Sequence, residues 1–170
     1  TSGTGEDEIF VATRNGIAIR FSEKDVRSMG TGATGVKGIT LRDKDKIVGA
    51  AIINSEMNND EMRILTITEE GYGKRTKLSE YRLQSRGGKG LINAKLNDKT
   101  GKIVDVKIVR ENDEIMLITS EGTLIRTSVN NISVIGRSAS GVRIMKVRNN
   151  EKIASVVKIT EEPDLTEEEK

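Results

Sequence analysis

The sequence predicts an all-β, propeller-like array of three four-stranded blades, forming part of a larger ring. Three observations carry that expectation. A turn ending in glycine is followed four residues later by arginine three times, at Gly16 and Arg20, Gly71 and Arg75, and Gly122 and Arg126, with the glycines 55 and 51 residues apart. A second glycine follows each by 19 residues, at Gly35, Gly90 and Gly141, and a Lys-Ile pair closes each unit at Lys46-Ile47, Lys102-Ile103 and Lys152-Ile153. Apolar residues come in short runs between turn residues, with no helical period. Units of about 50 residues held in register through three copies have the spacing of blades.

In the first unit, Glu8–Thr13 leads into Asn15-Gly16 and Ile17–Phe21 returns. Asn-Gly between apolar runs is a strong hairpin signal because both residues tolerate positive φ. Ser22–Gly35, rich in Gly, Ser and Thr, reads as a connection, Val36–Leu41 as a third strand, Asp43-Lys44-Asp45 as a turn, and Ile47–Ile53 as the fourth strand. The second unit repeats the scheme with Met62–Thr68, Tyr72–Leu78, Leu91–Leu96 and Ile103–Val109. The third does so with Ile115–Thr119, Thr123–Val129, Val142–Val147 and Ile153–Ile159. This places blades at about 6–55, 56–110 and 111–160, together one domain over 1–160. One small sheet cannot bury both faces, so neighbours must stack. Three blades leave two uncovered ends, which invite self-association, whereas closed propellers have 4–8 blades.

Composition narrows the chemistry. The chain has 170 residues, no cysteine and no histidine, so it holds neither disulfides, thiolate or His-ligated metal sites, nor a His-based triad. Only Phe10, Phe21, Tyr72 and Tyr81 are aromatic, leaving the core to aliphatic side chains and arguing against base stacking on single strands. No apolar run reaches the ~20 residues of a membrane span, and the expectation is a soluble cytoplasmic protein with no membrane partner. The net charge of +2 hides an asymmetry: residues 161–170 hold six acids and one lysine, so residues 1–160 carry +7. A basic body calls for a polyanionic partner, and the acidic segment reads as a disordered tail able to compete for it.

The richest candidate site is Gln84-Ser85-Arg86-Gly87-Gly88-Lys89-Gly90. Its glycines let backbone approach a ligand and present N–H groups as an anion nest, while Arg86 and Lys89 add charge suited to phosphate. Other basic residues recur in register: Arg20, Arg75 and Arg126 at one position, Lys37 and Arg143 at another. Lys74, Lys77 and Arg82 cluster near the loop, and Arg137 lies in the third unit. Such repetition reads as a belt of basic charge around the rim, suited to a polyanion. Gly30–Gly35 superficially resembles a dinucleotide fingerprint, but it opens no helix. The recurring Asp7-Glu8, Asp60-Glu61 and Asp113-Glu114 read as turns that open strands.

At these residues the chain resembles the C-terminal domain of the A subunit of bacterial DNA gyrase. The resemblance rests on Phe21–Gly30, Thr34–Leu41, Glu70–Thr76, Gly122–Thr127 and Ile135-Gly136-Arg137, and it runs across nearly all of residues 6–160. It implies a six-bladed β-pinwheel that wraps DNA around a basic rim, with these units as the last three blades. The family's heptapeptide, Gln-Arg-Arg-Gly-Gly-Lys-Gly, belongs to its first blade; Gln84–Gly90 differs only at Ser85 but sits in a later blade, as a degenerate copy. The partners the resemblance implies are double-stranded DNA, the gyrase B subunit, and the rest of the gyrase A subunit. It implies no cofactor, and no catalysis by these blades alone: the catalytic tyrosine belongs to another domain and the ATPase to the other subunit. The corresponding domain of topoisomerase IV and a protein-binding propeller module are the alternatives.

Overall fold

The computed structural model describes residues 4–54, 60–148 and 150–159, so the expected acidic tail at 161–170 lies outside the described residues. Eleven strands are described: β1 (Glu8–Thr13), β2 (Ile17–Ser22), β3 (Ile47–Ile53), β4 (Arg63–Thr68), β5 (Tyr72–Lys77), β6 (Leu91–Ile92), β7 (Ile103–Val109), β8 (Glu114–Thr119), β9 (Leu124–Ser128), β10 (Val142–Arg143) and β11 (Ile153–Ile159). Short 3-10 turns at Glu23–Asp25, Leu78–Glu80 and Val129–Asn131 follow the second strand of each unit, and they carry no helical hydrophobic period by which the sequence could betray them.

Each unit begins with an antiparallel hairpin whose turn is chemically the same three times. Gly16 N donates to Thr13 O at 3.2 Å, and Ile17 N to Thr13 Oγ1 at 3.2 Å. The threonine hydroxyls of Thr68 and Thr119 accept from Tyr72 N and Thr123 N in the same way. Only the glycine turns left-handed, with φ of 92°, 81° and 83° at Gly16, Gly71 and Gly122, while Asn15 keeps negative φ. The hairpin is therefore a four-residue turn closed by one left-handed glycine, not the two-residue Asn-Gly turn the sequence predicts.

Sheet membership differs from the unit-by-unit reading. The sheets run β3-β1-β2-β6, β10-β5-β4-β7 and β11-β8-β9, with every strand pairing antiparallel. The third strand of the second unit, β6, thus completes the first sheet, and β10 of the third unit completes the second. The third sheet has three strands among the described residues, and Val36–Leu41, predicted as a strand, pairs with none. The sequence shows that a third strand exists but not whose sheet it joins, because hydrophobic pattern carries no address.

At the opposite edge of the sheets β3 packs on β7 and β7 on β11, forming a hub. β6, β10 and the loops leading into them lie on the far edges. Apolar side chains fill the spaces between sheets, with Phe10, Ile64, Leu78 and Ile103 between the first two and Leu65, Ile67, Ile115 and Leu117 between the second and third. Phe10 and Tyr81 meet edge to face at 5.0 Å. A further cluster of Val11, Ile17, Ile19, Phe21 and Ile39 covers the outer face of the first sheet.

Candidate nucleic-acid interface

The repeated arginines occupy a joint rather than a belt. Arg20 has a side chain only 10% exposed, pairs with Glu8 at 2.5 Å, and its Nη1 donates to the carbonyls of Leu78 and Tyr81 in the next unit, both at 3.2 Å. Arg75, 6% exposed, does the same one unit on, with Nε donating to Ile132 O at 2.6 Å and Nη2 to Asn130 O at 3.3 Å. Each guanidinium caps carbonyls around the following unit's 3-10 turn. The forked donor geometry explains why arginine stands there. Arg126 keeps the intra-unit partner, Glu114, but has no described following unit to grip and is 58% exposed.

Lys74 is also removed from the surface. It is 1% exposed, and its Nζ donates to the carbonyls of Asn93 at 2.7 Å, Gly136 at 3.0 Å and Arg137. Burial pushes its pKa down to about 8, with smaller influences from Glu80, which raises it, and Arg137, which lowers it further. Beside it Asn93 accepts from Tyr81 at 2.5 Å and bonds with Thr66, forming a polar core between hydrophobic layers. Burial likewise raises the Tyr81 phenol pKa. The sequence could not separate Lys74 from surface lysines, although its alternation with Arg75 on one strand sends the two to opposite faces.

The glycine loop is pinned. Arg86 donates through Nε to Asp25 O at 3.0 Å and through Nη1 to Lys37 O at 2.5 Å; its amide reaches Asp25 Oδ2 at 3.4 Å. Arg137 repeats the pattern in the next unit, with its guanidinium on Ile92 O and its amide on Glu80 Oε2 at 2.7 Å. Gly87 N donates to Gly38 O at 2.8 Å, and Thr40 donates to Gly87 O and Gly88 O at 2.6 and 2.9 Å. Gly87 and Gly90 need positive φ, at 80° and 70°, whereas Gly88 does not. Gln84 Oε1 is buried without a hydrogen-bond partner among the described residues.

What remains open is a shorter basic set on the outer elements. Lys37, Lys77, Arg82, Lys89 and Arg143 are exposed along with Arg126. Arg143 lies over the Tyr72 ring at 5.3 Å and donates to its hydroxyl at 2.9 Å, holding the guanidinium on the sheet edge. Lys95 and Lys146, in register with each other just beyond the exchanged strands, are exposed as well; that shared register is the one signal by which the sequence could have disclosed them. A groove at the junction of the second and third units, lined by Arg63, Arg110 and Lys158 beside Asp60, Glu61 and Glu111, mixes both signs of charge. Among the described residues no cluster of three or more ligands could hold a metal, and no helix is long and apolar enough to cross a membrane.

Comparison with known proteins follows the same units. Residues 7–54, 63–110 and 113–160 each match the family described as "DNA gyrase C-terminal domain, beta-propeller". The chain is 43% identical over 161 residues to the DNA gyrase A subunit of Staphylococcus epidermidis and 42% identical over 152 residues to that of Ureaplasma parvum. These alignments cover 95% and 89% of this chain, which spans 18% of the length of each relative. Among solved structures, the C-terminal domain of DNA topoisomerase IV is similar with a TM-score of 0.83 and 29% identity, over 91% of this chain and 47% of that one. The C-terminal domain of DNA gyrase A shares the fold with a TM-score of 0.58 at 23% identity, over 94% of this chain and 68% of that one. Three repeats of one hairpin, sheets completed by the neighbouring unit, and a threefold family match identify the chain as a member of the DNA gyrase C-terminal domain family, a β-pinwheel of type II topoisomerases.

Proposed function

We propose that this chain binds double-stranded DNA on its outer rim without sequence preference and bends it. In doing so it supports ATP-dependent negative supercoiling by a gyrase that joins the B subunit to the rest of the A subunit. The observation that carries this reading is the exposed basic set Lys37, Lys77, Arg82, Lys89, Arg126 and Arg143 on a body of net +7. Flexible side chains of one sign touch phosphates irrespective of base, and no described helix is available to read a major groove. Lys95 and Lys146 extend the proposed contact set. Arg20, Lys74, Arg75, Arg86 and Arg137 support it from behind by fixing the joints and loops. Gln84, Gly87 and Gly88 shape the loop that carries Lys89. The chain's part is to hold and curve the duplex rather than to cut it.

The experiment is a salt titration of duplex binding. About five phosphate contacts give a log–log slope near −4.5. Combined Lys77→Ala, Arg82→Ala and Lys89→Ala should flatten that slope by about 2–3 and leave thermal stability unchanged. Arg75→Ala should instead lower the melting temperature. A flat slope in the parent chain defeats the DNA reading and favours a protein-binding module. The TM-score to the topoisomerase IV domain favours a second assignment within the same class; supercoiling by the whole enzyme, as against decatenation alone, separates the two.

A further inference from the structure

On the basis of that rim reading, we infer that Tyr72 and Arg143 form a clamp for one backbone phosphate of a duplex, with Tyr72 both touching the phosphate and positioning the guanidinium. The two residues come from different units and meet at the joint between the second and third. Tyr72 opens β5, Arg143 ends β10, and they stand directly opposite each other in the antiparallel ladder. Directly opposed residues place their side chains on the same face of a sheet, with Cβ atoms about 4.5–5.5 Å apart. Here the guanidinium carbon lies 5.3 Å from the centre of the phenol ring, and Nη2 donates to the phenol oxygen at 2.9 Å.

The same two positions are filled differently at the joint between the first and second units. There Ile17 stands opposite Ile92, an apolar pair with no polar atom in either side chain. The second joint therefore carries a phenol and a cation where the first is closed by two aliphatic side chains. Arg143 is also handled unlike the other arginines near the joints. Glu8 and Glu114 neutralise Arg20 and Arg126, while Arg20, Arg75, Arg86 and Arg137 spend their guanidinium groups on backbone carbonyls. Among the described residues Arg143 has neither kind of partner: it is exposed, and its side-chain hydrogen bond goes to a neutral hydroxyl. Its charge is thus held at a fixed place on the surface without being neutralised.

Donor geometry decides what such a pair can hold. The phenol oxygen accepts from Arg143, so its own proton is left to donate outward. One guanidinium N–H is used on that oxygen, and the others stay available in a planar fork. Donors from both side chains can then converge on the oxygens of one phosphate. Tyrosine and arginine are both side chains that grip backbone phosphates, and such contacts fix a duplex in place without reading its bases. An unrestrained arginine loses rotamer freedom on gripping phosphate; the Tyr72 ring and hydroxyl remove part of that freedom beforehand. Because Tyr72 belongs to the second unit and Arg143 to the third, a phosphate held by both ties the units together, and the duplex stabilises the joint it crosses.

A double-mutant cycle on duplex binding tests this. Tyr72→Phe keeps the ring and removes the hydroxyl; it should weaken binding by about 3- to 10-fold with the salt slope unchanged, because a neutral donor releases no counterion. Arg143→Ala should reduce the slope by about 0.9, and adding Tyr72→Phe to it should cost nothing further. The melting temperature of the unbound Tyr72→Phe chain should equal the parent's. Arg143→Lys, which keeps the charge without the fork, probes the clamp from the other side: it should keep the slope and lose affinity, even if Tyr72→Phe disturbs the sheet. Tyr72 and Tyr81 are the two tyrosines of the chain, and Tyr81 is buried with its hydroxyl on Asn93. With the tyrosine rings isotope-labelled, duplex should therefore shift the Tyr72 resonance and leave that of Tyr81 in place. Salt-dependent binding indifferent to Tyr72→Phe, a Tyr72 resonance that does not move, or losses that simply add would overturn the clamp and leave the rim reading standing. A parent chain with no salt-dependent duplex binding would overturn both.

Discussion

Lys74 sets the terms at the scale of single residues, because a buried cation stabilises the fold only through its three carbonyl partners. Its folded pKa of about 8 lies below the ordinary 10.5, so the sign of its pH dependence is fixed. Below about 8 folded and unfolded chains both carry the proton, and this group adds no slope. Between about 8 and 10.5 the unfolded chain binds more protons, and stability rises with pH. Urea unfolding at pH 7 and pH 10 should show the parent chain gaining on the order of 2 kcal/mol relative to Lys74→Met. At pH 7 that variant should itself be destabilised by about 1–3 kcal/mol, since it strands buried carbonyls. An identical pH response in both proteins would mean that Lys74 is hydrated in solution.

At the level of elements, the strand exchange turns a glycine from a turn residue into a contact. Gly71→Ala carries the left-handed penalty of about 1–2 kcal/mol and also drives a methyl into Met145 O, just beyond the exchanged strand. Gly122→Ala carries the first penalty alone, since its surroundings are open in a single chain. Denaturant titration should therefore give about 3 kcal/mol or more for Gly71→Ala and about 1–2 for Gly122→Ala. Equal losses would argue against strand exchange between the second and third units. The sequence discloses the hairpins plainly, because glycine spacing and apolar runs are local signals. Its reading of Val36–Leu41 as a strand rests on the same local signals, yet that segment pairs with no described strand. Arg20 and Arg75 turn inward for a related reason: recurrence in register marks whatever every unit needs, and both serve the joint with the following unit. Among the described residues Lys77, Arg82 and Lys89 are exposed and make no such internal contact, and nothing in their sequence positions separates them from the stapling arginines.

For the molecule as a whole, the proposed function has three stacked sheets presenting a short arc to a stiff duplex. Bending 20–30 base pairs costs on the order of 1–6 kcal/mol, which a few phosphate contacts only partly offset. Nicked plasmid religated in the presence of the chain should therefore trap less than one superhelical turn per bound chain. A full turn per bound chain would show that three sheets suffice. The exchanged strands also have a consequence for synthesis. The first sheet has three of its strands once Ile53 is made, but its fourth waits for Ile92, 39 residues later. At about 5–20 residues per second that interval lasts roughly 2–8 seconds. By the time β6 seals the first sheet, the second hairpin has exposed the same edge, which β10 seals in turn. The nascent chain thus carries a vulnerable edge that travels with the growing end, covered behind and renewed ahead, so that sticky backbone is not accumulated as units are added.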